Sequence, residues 1–112
     1  MSKNLDFTLL LDVYGTLLTE KQRETLEYYY NDDLSLGEIS EELGITRQGV
    51  MNCIKKCEQR LLEFEDALGI VKRFNDLKKD IENLEADISD YDINLKEKSK
   101  IKKALEEIKI KL

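Results

Sequence analysis

The stretch that decides the fold reads Leu36-Gly37-Glu38-Ile39-Ser40-Glu41-Glu42-Leu43-Gly44-Ile45-Thr46-Arg47-Gln48-Gly49-Val50-Met51-Asn52-Cys53-Ile54. Ser35 stands just before it and Glu38 three residues later, the reciprocal capping signature that opens a helix. Ile39 and Leu43 give that helix an apolar side, and Gly44 follows as a residue able to take positive φ at a helix end. Thr46 then caps a second helix, with Ile45 placed to close its start against Val50. A short helix, a glycine turn and a second helix make a helix-turn-helix, covering residues 35 to about 62. Ile39, Leu43, Ile45, Val50 and Ile54 are the candidate contacts that set the crossing, and Ser40 is small enough to let the two helices approach.

Upstream, Phe7, Leu10, Leu11, Tyr14, Leu17 and Leu18 recur at helical spacing and predict a first amphipathic helix over residues 5 to 18, weakened locally by Gly15. Thr19 with Gln22 predicts another capped start, so a second helix is expected from about 20 to 30. It ends at the polar Asn31-Asp32-Asp33. Of Tyr28, Tyr29 and Tyr30, one or two rings are expected in the core and the remainder on the surface.

Downstream, Val50, Ile54, Cys57, Leu61, Phe64, Leu68 and Val71 run in steps of four and three, a stripe longer than a three-helix core can use. A further run, Ile70, Phe74, Leu77, Ile81, Leu84, Ile88, Tyr91 and Leu95, keeps the same alternation. The last run, Ile101, Leu105, Ile108 and Leu112, is out of phase with it by three residues. The phase loss predicts a turn near residues 91 to 94 and a helical hairpin; a continuous helix with a stammer is the competing reading. The expected organisation is therefore a helix-turn-helix domain over residues 1–68 and a heptad-patterned tail over 69–112. The tail's apolar seam must be covered by its own chain or by a second copy, and a homodimer is expected on the second reading.

Composition agrees with an all-α class. The 112 residues include no Pro, no Trp, no His and only 5 Gly, with 38% charged side chains. No stretch nears the roughly 20 apolar residues that span a bilayer, and Met1-Ser2-Lys3-Asn4 lacks a signal-peptide layout, so a cytoplasmic protein without membrane insertion is expected. Cys53 and Cys57 lie one helical turn apart, but no His and no second Cys pair completes a tetrahedral metal site. They read as small buried side chains, and no metal or cofactor is expected. With no His, no Gly-rich phosphate loop and no paired nucleophile and base, an enzyme is not expected either.

Charge is unevenly spread. Residues 1–70 carry seven Lys and Arg against fourteen Asp and Glu, a net −7, while residues 71–112 carry eleven against ten, a net +1. Phosphate contacts supply most non-specific nucleic-acid affinity, and the helix-turn-helix lies in the acidic portion. Within it, however, residues 46–60 hold Arg47, Lys55, Lys56 and Arg60 against Glu58, a narrow basic strip. On the outward face of the second helix, Arg47, Gln48, Asn52, Lys55 and Lys56 are the candidate nucleic-acid contacts. Arg matches a guanine edge and Asn or Gln an adenine edge through paired donors and acceptors. The competing assignment is a protein-interaction module that uses the acidic Asp32, Asp33, Glu38, Glu41 and Glu42 on a basic partner.

The helix-turn-helix stretch resembles region four of bacterial sigma factors. More widely, Leu18-Thr19-Glu20-Lys21-Gln22, Tyr28-Tyr29-Tyr30-Asn31-Asp32-Asp33-Leu34-Ser35-Leu36 and Gly44-Ile45-Thr46-Arg47-Gln48-Gly49-Val50 make the chain from Phe7 to about Phe74 similar to the YlxM family, helix-turn-helix proteins encoded beside signal recognition particle genes. The resemblance implies a non-enzymatic regulatory or accessory role in that pathway, with DNA or the particle's RNA, or a protein of the system, as partner. Arg47 and Lys56 match the basic positions of the sigma reading helix. Met51 replaces its second reading arginine, a departure that weakens the implication of promoter reading.

Overall fold

The computed structural model describes residues 5–112, with side chains from Phe7 onward; the opening Met1-Ser2-Lys3-Asn4, read above for a signal-peptide layout, lies outside the described residues. The described chain is all-helical: α1 (Leu5–Tyr14), a 3₁₀ turn (Gly15–Leu17), α2 (Glu20–Tyr30), α3 (Leu36–Leu43), α4 (Arg47–Leu68), α5 (Ile70–Asp90) and α6 (Leu95–Ile110). No helix among the described residues is long and apolar enough to cross a membrane. The chain divides into two compact units, one ending at Val71 and one beginning at Lys72.

In the first unit the starts of α2, α3 and α4 are each held by the side chain expected there. Thr19 Oγ1 accepts from the Gln22 amide at 3.2 Å while Gln22 Oε1 accepts from the Thr19 amide at 3.1 Å. Ser35 and Glu38 repeat this at α3, at 3.1 and 3.0 Å. Such caps satisfy amides that have no partner within the helix, each contributing about 1 kcal/mol. Gly44 closes α3 at φ 68°, and Gly69 closes α4 at φ 63°. The end of α2 uses Asp33 in the left-handed region instead of a glycine. There Asp32 donates its N–H to the Glu27 carbonyl at 3.0 Å, a six-to-one closure of the last turn, and Leu34 donates to the Tyr28 carbonyl, also at 3.0 Å.

The core of this unit gathers Leu10, Leu11, Tyr14 and Leu18 with Leu26, Ile39, Val50, Ile54, Cys57 and Leu61. It therefore takes the first four positions of the long α4 stripe. Phe64 is half-buried beside Tyr14, with ring centroids 5.9 Å apart, and Leu68 is exposed. Two expectations are modified. The first helix ends at Tyr14 and tightens into the 3₁₀ turn, whose shorter repeat turns Leu17 outward and Leu18 inward. All three of Tyr28, Tyr29 and Tyr30 are half-buried, because Tyr30 stacks on Phe7 at 6.0 Å and takes Tyr29 edge-on at 5.0 Å.

In the second unit the chain turns between Asp90 and Leu95, and Asn94 Oδ1 accepts from the Glu97 amide at 2.8 Å to start α6. Lys98 Nζ donates to the Ser89 carbonyl at 3.1 Å, and Lys109 pairs with Glu85 at 3.0 Å. These two ties run in opposite directions along the chain, so α5 and α6 form an antiparallel hairpin and the continuous-helix reading is excluded. Ile88 and Leu105 are buried in it; Phe74, Leu77, Leu84, Ile101 and Ile108 remain exposed.

Candidate nucleic-acid interface

The interface is built from the start of α4 upward. Gly44 donates its N–H to the Ser40 carbonyl at 2.9 Å, and Ser40 Oγ donates in turn to the Ile45 carbonyl. A small hydroxyl thereby spans the turn that its size was expected only to make room for. Thr46 Oγ1 then accepts from the Gly49 amide at 3.0 Å, fixing where α4 begins. Ile39, Val50 and Ile54 are buried between the helices, with Leu43 and Ile45 packed against them. The buried side of α4 centres on Val50, Ile54, Cys57 and Leu61, so the 100° step per residue puts Gln48, Asn52, Lys55 and Gln59 on the opposite, solvent side.

The five candidates do not form one uniform patch. Gln48, Asn52, Lys55 and Lys56 are exposed, and Gln48 Nε2 donates to Asn52 Oδ1 at 3.0 Å across one turn. Arg47 is also exposed, but the same 100° step sets it about 50° from the centre of the buried side instead of on the outward face expected for it, and it lies over the first turn of α3. Its guanidinium atoms come within 3.1–3.3 Å of the point where a side chain on Gly37 would start. Gly37 is thus a positioning element that sequence reasoning missed, and its only signal was a glycine inside a helix, where propensity disfavours it. Met51 is half-buried.

The surrounding charges confine the basic strip. Gln59 donates to Glu63 at 3.3 Å, and Glu63 and Asp66 carry the same face onward as acidic. Glu58 is half-buried and accepts a hydrogen bond from Tyr30; burial pushes its carboxyl above the ordinary range. Arg60 sets its guanidinium 5.5 Å from the Phe64 ring centre, so part of its face is spent on the protein. Cys57 is buried in the core, its sulfur 3.9 Å from that of Cys53, and its thiol is pushed up to about 12, first by burial and then by Cys53. It is a neutral core side chain at neutral pH. The acidic candidates of the competing assignment, Asp32, Asp33, Glu38, Glu41 and Glu42, are all exposed, with Glu38 engaged in the α3 cap.

What this arrangement can do chemically is present two amides and two ammonium groups on a rigid helix. The amides can read a base edge and the lysines can pair with phosphate, within a domain that repels phosphate at longer range.

Comparison with known proteins bears on this. A helix-turn-helix family described as "UPF0122: Putative helix-turn-helix protein, YlxM / p13 like" matches residues 1–108. A UPF0122 protein of Caldanaerobacter subterraneus subsp. tengcongensis is 52% identical over 80 residues, covering 71% of this chain and 68% of the relative. One from Clostridium kluyveri is 44% identical over 91 residues, 81% of this chain and 78% of the relative. One from Acetivibrio thermocellus is 44% identical over 109 residues, 96% of this chain and 93% of the relative.

Proposed function

The chain belongs to the UPF0122 family of YlxM/p13-like helix-turn-helix proteins, and on that basis we propose a cytoplasmic, non-enzymatic regulatory or accessory protein of the signal recognition particle pathway. In this reading residues 1–68 act as the nucleic-acid-binding domain. Residues 69–112 act as the tail that pairs two copies. The observation that carries the reading is the solvent face of α4, where Gln48, Asn52, Lys55 and Lys56 stand exposed on a helix capped at Thr46 and backed by a buried core.

Binding follows from that face. With Gln48 and Asn52 already paired to each other, their remaining amide groups meet a base edge as one preset unit. Lys55 and Lys56 flank it toward phosphate, and Arg47 reaches a guanine by leaving its rest on Gly37. The net −7 over residues 1–70 opposes phosphate, and only the narrow strip favours it, within about one Debye length, roughly 8 Å at physiological salt, so the non-specific affinity of this domain by itself is weak and a cognate site is required.

The test is a titration of the particle's RNA, and of DNA from the protein's own operon, at two salt concentrations. Arg47→Ala is expected to cost on the order of 1–3 kcal/mol with the cognate nucleic acid, because its pairing with a base edge is removed. Lys56→Ala should weaken all sequences alike and flatten the salt dependence. The exposure of Asp32, Asp33, Glu41 and Glu42 supports the second reading, a module that docks on a basic protein of the pathway. Undiminished binding by both variants, or a protein partner with no nucleic-acid binding, would decide for that module.

A further inference from the structure

The densest positive charge in the chain lies outside the helix-turn-helix. From Leu95 to Lys103 the sequence places Lys96, Lys98, Lys100, Lys102 and Lys103 against one acidic residue, Glu97. The hairpin uses the inward-leaning lysines of α6: Lys98 binds the Ser89 carbonyl, and Lys109 pairs with Glu85 at 3.0 Å and Glu106 at 3.3 Å. Lys96, Lys100 and Lys103 stand apart from these. At 100° per residue they share one stripe opposite the buried Leu105, and all three are exposed.

That stripe is placed against the interests of its own helix. Lys96 lies in the first turn of α6, where the backbone dipole favours anions. The members of the stripe are also like-charged neighbours at spacings of four and three, which repel. The cap made by Asn94 and the single acidic Glu97 of the first turn provide for the helix start without them. Glu107 stands one turn after Lys103 on the same face and offsets part of that repulsion, but Lys96 and Lys100 have no such acidic residue four positions on, and an external polyanion would supply the missing counter-charge.

We propose that the outer stripe of α6, Lys96, Lys100 and Lys103, is a second nucleic-acid contact, one that binds the phosphate backbone without reading sequence. The stripe spans about 10 Å at 1.5 Å of rise per residue, a length over which a duplex presents about six phosphate charges. It supplies the attraction that residues 1–70 lack, leaving discrimination to the α4 face. A membrane-surface helix needs a broad apolar face free to insert; in α6 Leu105 is buried while Ile101 and Ile108 beside it are exposed, so binding to an anionic vesicle is an outcome that the experiment below decides. The inference rests on the nucleic-acid reading above and concerns a different set of residues.

The experiment uses the full chain and a fluorescent duplex of about 25 base pairs of arbitrary sequence, titrated between about 50 and 200 mM salt. Lys96→Gln, Lys100→Gln and Lys103→Gln combined should lower the slope of log affinity against log salt by about 2.7, at about 0.9 for each phosphate no longer neutralised. The matching Lys→Arg triple variant should keep the slope. Charge removal of equal size on α5, Arg73→Gln with Lys78→Gln and Lys79→Gln, should leave it nearly unchanged. Helicity by circular dichroism should be retained or rise in the α6 glutamine variant, since like-charge repulsion is relieved. An unchanged slope in that variant, an equal fall in the α5 variant, a parent chain that fails to bind the duplex at the lowest salt, or tighter binding to phosphatidylserine vesicles than to the duplex would each overturn the proposal. None of those outcomes touches cognate binding through α4, which the Arg47 and Lys56 variants test separately.

Discussion

Single residues carry consequences that their position in the sequence half conceals. Cys57 is legible as a buried side chain from its place in the α4 stripe, yet its acidity is set by the packing around it. Burial, then the neighbouring Cys53, lifts its thiol from the ordinary 9.0 to about 12. Above the ordinary value an unfolded chain releases this proton while the folded chain keeps it, so the unfolded state binds fewer protons and stability falls as pH rises. The stabilisation is whole below pH about 9 and is lost progressively toward about 12. Tyr14 acts in the same direction, its hydroxyl raised first by burial and then by its hydrogen bond to Glu65. Chemical denaturation at a series of pH values should therefore show a steeper alkaline loss in the parent than in Cys57→Ala, which starts lower because of the cavity it leaves. Parallel losses in the two proteins would remove the thiol as a source. The pairing of Gln48 with Asn52, and the resting of Arg47 on Gly37, were equally out of reach of sequence reading. Spacing identifies which side chains share a face, but not which of them bond to one another.

Helices are where the sequence speaks most directly, because caps and glycine turns are local chemistry. Thr19 with Gln22, Ser35 with Glu38, Gly44 and Thr46 each appear in the structure in the role their residue type predicts. The start of α5 was not legible, since no capping residue precedes Ile70. Its first amides are instead held from a distance. Tyr14 donates to Glu65, the Ile70 amide donates to Tyr14 Oη at 3.1 Å, and the Val71 amide donates to Glu65 Oε1 at 3.0 Å. A side chain of α1 and one of α4 together do the work of an N-cap, and a separation of 51 residues between them leaves no local signature. Tyr14→Phe keeps the ring against Phe64 and removes only the hydroxyl, leaving the Ile70 amide and one Glu65 bond unmet. It should cost about 1–3 kcal/mol, the penalty of stranding buried polar groups. Urea denaturation checks this. A loss no greater than that of an exposed control such as Tyr91→Phe would show that the α5 start is held otherwise.

For the whole molecule the open question of the sequence was what covers the tail. Periodicity marks Phe74 to Leu95 as one seam, but period alone cannot say which positions another element reaches. The hairpin buries Ile88 and Leu105 and leaves Phe74 37%, Leu77 48%, Leu84 41%, Ile101 39% and Ile108 47% exposed. So many exposed large side chains at heptad spacing favour a second copy as their cover, since contiguous apolar patches of this kind mark interaction surfaces. A dimer would also bear on binding, because two α4 faces held together act at a raised effective concentration and offset the weakness of one narrow strip. The full chain is accordingly expected to sediment as a dimer at about tens of micromolar. Replacing Ile81 and Ile88 together by Asp sets charges into the seam, where an unpaired buried charge is costly, and should give a monomer of lower helicity. Truncation after Val71 should likewise give a monomer, because it removes the seam while keeping the Tyr14–Glu65 contacts to the start of α5. If the parent chain sediments as a monomer at that concentration, the seam does not pair two copies. If the double variant keeps its helicity and its oligomeric state, Ile81 and Ile88 do not lie in the contact that holds the tail.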